Sequence, residues 1–407
     1  MTIGIDLRDL EVPEHRPGFF DELRKELAPR RSRRPLLLLA AAAAIVASVL
    51  AFTLTRGSEV ADAAQVQAAV EHALASTGSI SGRIVSGAAG TESSDGYFVL
   101  SSTGAFKIVA SNGNITQTTV YDPARSTEVY DFDSVYSRTI GLAPGQPDIV
   151  PNALLQSGMG SILATLAHVP GGKVENVTYD GRSAWLVPPR SGTPGDQTAI
   201  TVDRATGIPV RWQTFNGGAL VYEWRIEHLR ASSTVARITL PAPTHGQKVG
   251  VADAGFRHTS LARARTAAGY QPLVPTRLPH GFTLAGISFA SSPPRDPATY
   301  GNGNPASRDV ISLSYRRGLD EIVVTTRRTG ADPSAWFDPF WSSPNLADSP
   351  SRITFTGGAL AGESGNLVLD SAFPHIWIAG PKLVVTIGGT VGRADLLEVA
   401  NSLHVAG

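Results

Sequence analysis

The residues that could do chemistry are scattered, and their spacing argues against catalysis. Nine histidines (His15, His72, His168, His228, His245, His258, His280, His375 and His404) occur with no two at the separation of a metal-ligand pair. There is no cysteine, which removes a thiol nucleophile, a Cys-based zinc site, a disulfide frame and a lipid-anchoring cysteine. No GxSxG elbow, GxxxxGK(S/T) phosphate loop, HExxH helix or complete GxGxxG is present; Gly301-Asn-Gly303 and Gly388-Gly-Thr-Val-Gly392 read as loops or strand ends. Asp122, Asp203, Asp253 and Asp320 stand in turn-forming contexts, where a carboxylate capping backbone N–H groups accounts for them without acid–base work. No catalytic, cofactor-binding or metal residue is therefore assigned, no cofactor is expected, and the chain is expected not to be an enzyme. The least ordinary group is aromatic: Trp336, Phe337, Phe340 and Trp341 would dock a lipid or a partner if exposed, or plug a small core if buried.

Position relative to a membrane is a stronger signal than chemistry. Pro35 to Leu54 carries no charge over about 20 residues, the length that spans a bilayer core. Arg30, Arg31, Arg33 and Arg34 precede it, whereas only Arg56 follows before Glu59 and Asp62. The positive-inside rule then places 1–34 in the cytoplasm and 56–407 outside, at a cell membrane crossed once. A cleaved signal peptide ending near Ala61-Asp62-Ala63 is the competing expectation, but the apolar run is too long for one. Within the first 34 residues, Phe20, Leu23 and Leu27 share a helical face that either docks a cytoplasmic partner or lies on anionic lipid.

Lys+Arg 35 balances Asp+Glu 35, so a general nucleic-acid binder is excluded, and 42% hydrophobic content excludes a disordered chain. Beyond the apolar run, Val60 to Ala75 has helical spacing and Thr77-Gly78 stops it. The period then becomes two: Ile80 to Ile84, Gly96 to Leu100, Phe106 to Ala110, Ile115 to Tyr121 and Thr127 to Phe132 read as a meander, with Asn112-Gly113 as a hairpin turn. Asn152 to His168 reads as a covering helix, and strands return from Val174 through Leu229. Alternation puts Tyr97, Val99, Ile108, Val120, Trp185, Val187, Ile200 and Trp212 largely on apolar faces. A polar stretch from Pro241 to Asp253 leads to a second set, with a hairpin of Val310–Tyr315 and Glu321–Thr326 and a closing helix from Val391 to Leu403.

Tyr179-Asp-Gly-Arg-Ser-Ala-Trp-Leu-Val187, followed by Thr198-Ala-Ile-Thr-Val-Asp-Arg-Ala-Thr-Gly-Ile-Pro-Val-Arg-Trp212, resembles a recurring hairpin of lipoprotein-carrier-like proteins. A large domain of that kind followed by a small one resembles the MucB/RseB regulators, which bind an anti-sigma factor and sense envelope lipid. Members of that family are soluble and exported, so the anchor is a departure read from the apolar run alone. With it the expected fold is α+β: one N-terminal transmembrane helix, then, as the resemblance implies, a curved antiparallel half-barrel sheet with helices and a small α+β domain. The expected boundaries are a 1–34 tail, a 35–55 membrane helix, a 56–240 carrier-like domain, a 241–268 linker and a 269–407 C-terminal domain. The expected function is a membrane-anchored envelope sensor or regulator of an anti-sigma/sigma-factor system. The alternative is a carrier sheltering acyl chains in the curved sheet. Expected partners are membrane lipid and an anti-sigma factor, sigma factor or envelope lipoprotein, with no nucleic acid. No residue role is carried over from the resemblance.

Overall fold

The computed structural model describes residues 62–88, 94–112, 115–142, 173–188, 196–291, 309–330, 332–336, 338, 350–369 and 374–406. Helix α1 (Ala63–Ser76) starts where Asp62 accepts a hydrogen bond from the Gln65 N–H at 2.8 Å, satisfying one of the orphan donors of a first turn. Its Val66, Val70, Ala73 and Leu74 form one buried stripe, and each large apolar member contributes about 1.5–3 kcal/mol by leaving water. Strands β1 (Ser79–Ala88), β2 (Ser94–Ser101), β3 (Phe106–Asn112), β4 (Ile115–Asp122), β5 (Thr127–Phe132) and β6 (Val135–Ile140) follow as a meander. β7 (Glu175–Tyr179), β8 (Arg182–Val187), β9 (Asp196–Asp203), β10 (Pro209–Asn216) and β11 (Ala219–Ser232) form a second run, and β12 (Lys248–Asp253) comes last. All twelve join one sheet in the order β12-β6-β5-β4-β3-β2-β1-β11-β10-β9-β8-β7.

The long β11 welds the two runs together by pairing with β1 on one side and β10 on the other. Across that seam Ser86, Trp224, Trp212, Ile200 and Val187 stand opposite one another in register. This face carries the core, where Ile80, Ile84, Phe98, Ile108, Ile200 and Ile226 pack with the α1 stripe.

The second sheet contains β13 (Arg257–His258), β15 (Thr283–Ala290), β16 (Val310–Arg317), β17 (Asp320–Arg328), β18 (Ser351–Thr354), β19 (Ser364–Val368), β20 (His375–Ala379) and β21 (Leu383–Gly389). Their order is β13-β15-β16-β17-β21-β20-β19-β18, and every described pairing is antiparallel. Short β14 (Leu273–Pro275) and β22 (Leu403–Val405) form a separate ribbon. Helix α2 (Leu261–Ala268) lies between β13 and β14, and helix α3 (Arg393–Ser402) buries Leu396, Val399 and Ala400 against Ile322, Val324, Ile376 and Ile387.

These elements correct the expected α+β fold class. The described chain is mostly β, with only three α-helices of 14, 8 and 10 residues. The cause lies in the backbone: strands pairing on both sides satisfy their own polar groups, so a short helix suffices to cover each apolar face. The expected membrane-spanning helix is not supported either: among the described residues no helix is long and apolar enough to cross a membrane. The Pro35–Leu54 run and the Asn152–His168 helix lie outside the described residues. The 241–268 stretch, read as a linker, carries β12, β13 and α2. There Lys248-Val-Gly-Val-Ala-Asp253 pairs in parallel with β6, an edge position that leaves Val249 57% and Val251 67% exposed.

Candidate functional site

The aromatic part of the large sheet's core face is the candidate site among the described residues. Trp212 and Trp224 oppose one another across β10 and β11, with ring centroids 6.3 Å apart in an edge-on arrangement. Trp185 lies on the same face two residues before Val187, and the Arg204 guanidinium sits 5.3 Å from its ring. The indole N–H groups of Trp185 and Trp212 are buried and have no hydrogen-bond partner. A buried indole N–H without a partner is costly, and a carbonyl oxygen reaching either ring would satisfy it.

The hairpin noted in the sequence positions this surface. Asp203 ends β9 and its Oδ2 accepts from the Thr206 N–H at 3.0 Å and the Thr206 hydroxyl at 2.6 Å, closing a tight turn. Gly207 takes φ +68 and lies so close to α1 that a Cβ there would stand 2.6 Å from the Ala69 carbonyl oxygen. The turn thus docks β9 and β10 directly onto the helix. At the adjoining sheet end, Tyr179, Arg182, Asp203, Val210, Ile226 and Leu229 line a small cavity of about 10 Å³, room for roughly one water molecule. Arg182 lies 3.2 Å from the Asp203 carboxylate, and the Tyr179 hydroxyl, also unpartnered, has its pKa raised by burial.

The opposite face of this sheet is ionic. Asp95, Arg83, Glu227, Arg225, Glu223 and Arg211 form one chain of alternating sign across β2, β1, β11 and β10, with contacts from 2.6 to 3.3 Å. Burial opposes the Glu227 carboxylate, but hydrogen bonds from Arg225 and Arg83 hold its pKa below the ordinary value.

The eight residues assigned to apolar faces divide between the two sides. Ile108, Trp185, Val187, Ile200 and Trp212 belong to or pack against the core. Tyr97 lies beside Arg83 on the ionic side and is 38% exposed. Of the aromatic cluster, Trp336 is buried and gives its indole N–H to the Thr329 carbonyl at 2.6 Å; the other three members lie outside the described residues. Among the described residues no group of three or more His, Cys, Asp or Glu is placed to hold a metal. Sequence reasoning did not find the ionic chain, because its members are brought together by pairing between strands up to 144 residues apart. Their one local trace is the Glu223-x-Arg225-x-Glu227 alternation.

No protein-family model matches the chain. No curated protein matches it either. Among solved structures, the chain is similar to MucB in complex with MucA(peri), at 18% identity over 85% of this chain and 100% of that one, with a TM-score of 0.27. It is also similar to MucB in the Pseudomonas aeruginosa MucA/MucB complex, at 18% identity over 85% and 99%, with a TM-score of 0.28. An uncharacterized conserved protein from Thermus thermophilus is 12% identical over 46% of this chain and 98% of that one, with a TM-score of 0.29. Superpositions at these values do not establish a common fold.

Proposed function

We propose that the chain is a non-enzymatic envelope regulator that works by binding a protein, with an anti-sigma or sigma factor as the partner class implied by its sequence resemblance. The supporting observation is the form of the large sheet's apolar face. It offers aromatic rings and fixed N–H donors, while the cavity beside it measures only about 10 Å³. That is below the roughly 300–1,000 Å³ of ordinary small-ligand sites, and an acyl chain needs a continuous cavity. A broad surface with carbonyl-seeking donors suits an extended peptide better than a sheltered lipid. Residues 56–407 are proposed to lie on the outer side of the cell membrane, a reading supported by the arginine asymmetry around the apolar run.

The test sets the two readings against each other. Full-length protein is titrated by calorimetry with the extracytoplasmic segment of an anti-sigma factor from the same genome, and separately with a fluorescent fatty acid. Peptide binding that Trp212→Ala weakens at least tenfold, with no fatty-acid uptake, supports the regulator. Fatty-acid binding without peptide binding replaces it with the carrier. Protease added to intact spheroplasts checks location, with degradation of the bulk of the chain expected.

A further inference from the structure

The second sheet has two buried faces. One is the apolar core under α3; the other is polar, with Ser312, Thr325 and Thr386 side by side in register and each at most 2% exposed. Two of the charges on this polar face are matched. Glu321 receives Arg316 at 2.7 Å and the Ser314 hydroxyl at 2.8 Å, and His375 meets Asp338 at 2.8 Å. Arg327 is different. It is 5% exposed, and no carboxylate among the described residues reaches it. Its Nη2 donates to the Thr325 hydroxyl at 3.2 Å and its Nε donates to nothing. Thr325 and Thr386 hydrogen-bond to one another, so their hydroxyls form a small polar shelf beside the guanidinium. The Trp336 ring, 5.9 Å from the guanidinium carbon, walls the site on another side, held by its bond to Thr329 and by the Asp332-capped turn Pro333–Ala335.

An uncompensated buried charge is costly, and removing it from water is repaid only by a close counter-charge. A lysine would neutralise itself in such a place. Burial pushes the Arg327 pKa down only to about 10, so this side chain remains a cation at neutral pH. Its free Nε and neighbouring Nη groups form a planar fork whose geometric match is an oxyanion held by two parallel hydrogen bonds.

We propose that Arg327, with the Thr325 and Thr386 hydroxyls and the Trp336 wall, is a binding site for a small oxyanion such as phosphate or a short carboxylate. The near-complete burial restricts the occupant to something small or to the tip of a larger molecule.

Full-length protein is followed by thermal unfolding in phosphate, sulfate or acetate, each against chloride at equal ionic strength. The midpoint is expected to rise saturably with an oxyanion and not with chloride. Arg327→Met is expected to abolish that rise and to unfold no earlier than the parent in oxyanion-free buffer, because it removes an unpaired charge. Arg327→Lys, which keeps the charge but loses the fork, is expected to weaken binding at least tenfold. Equal oxyanion response in the parent and Arg327→Met would overturn the site. Should the methionine variant not fold, phosphorus NMR of the parent decides: phosphate line broadening reversed by excess sulfate supports the site, and an unbroadened line together with no stabilisation by acetate removes it. Stabilisation by acetate but not by phosphate assigns the site to carboxylates; the reverse assigns it to phosphates.

Discussion

Asp203 is 2% exposed and serves two parts of the large sheet at once, capping the β9–β10 turn through Thr206 and facing Arg182 on β8. Replacing it with alanine leaves Thr206 without its acceptor and Arg182 without its counter-charge. Asp203→Ala should cost about 2–3 kcal/mol, read by urea unfolding with tryptophan fluorescence; a loss below about 0.5 kcal/mol would show that water replaces the carboxylate. Gly207 is required for two separate reasons, its φ of +68 and the 2.6 Å approach to the Ala69 carbonyl. Gly207→Ala should therefore destabilise by more than the roughly 1 kcal/mol of backbone strain alone, with a matching drop in α1 protection from hydrogen exchange.

At the scale of elements, the ionic chain shows what strand pairing accomplishes. Glu223 takes hydrogen bonds from Arg211, Arg225 and Gln213, with its side chain 14% exposed. Glu223→Gln should lower stability by about 1–2 kcal/mol. A double-mutant cycle with Arg211→Met should recover part of that loss as coupling, and purely additive effects would mean that solvent screens the chain. A second junction is built from the β16–β17 hairpin. Leu319 donates its N–H to the Leu74 carbonyl at 2.7 Å, Gly318 takes φ +58 against the end of α1, and Leu319 packs on the large sheet's core. Beside it, Asp320 meets Arg317 of its own hairpin at 2.8 Å and faces Glu71 of α1 and Asp395 of α3.

That junction gives the whole molecule a pH dependence. Burial, opposed by Arg317 and reinforced by Asp395 and Glu71, raises the Asp320 pKa from 3.8 to about 7. Burial likewise raises Asp395, which also feels Glu71, Arg317 and Glu398. The folded chain thus keeps a proton that the unfolded chain releases, so stability falls as pH rises from about 4 to 7 and levels off above it. Asp320→Asn should be more stable than the parent at pH 8 by roughly 1–3 kcal/mol. The gap should close towards pH 4; one that stays constant with pH would disprove the linkage. The same contacts bear on separability. Fragments ending at residue 240 or 256 both lack the Leu319 contact, but only the shorter one also lacks β12, so its yield as soluble protein should fall below that of the longer one.

Local signals in the sequence account for much of the architecture. The apolar 3–4 spacing of Val60 to Ala75 specifies α1, although the Asp62 cap that starts it was not read from the sequence; period-two alternation specifies β1 to β5, and Asp203 to Gly207 specifies its turn without reference to anything distant. Each follows from backbone capping or side-chain periodicity within a few residues, which a linear reading can see. Other features had no such trace. That β11 would bridge both runs into one twelve-stranded sheet, that β12 would cross an apparent linker to pair with β6, and that helices would be so few depended on long-range strand pairing. Arg327 lies just past the Glu321–Thr326 strand expected from the sequence, and nothing local marks it as buried. Only packing, which buries the guanidinium on the second sheet's polar face with no carboxylate among the described residues in reach, turns it into a charge in need of a partner. Periodicity is a local property of the chain, whereas burial and charge compensation arise only when distant strands are brought side by side.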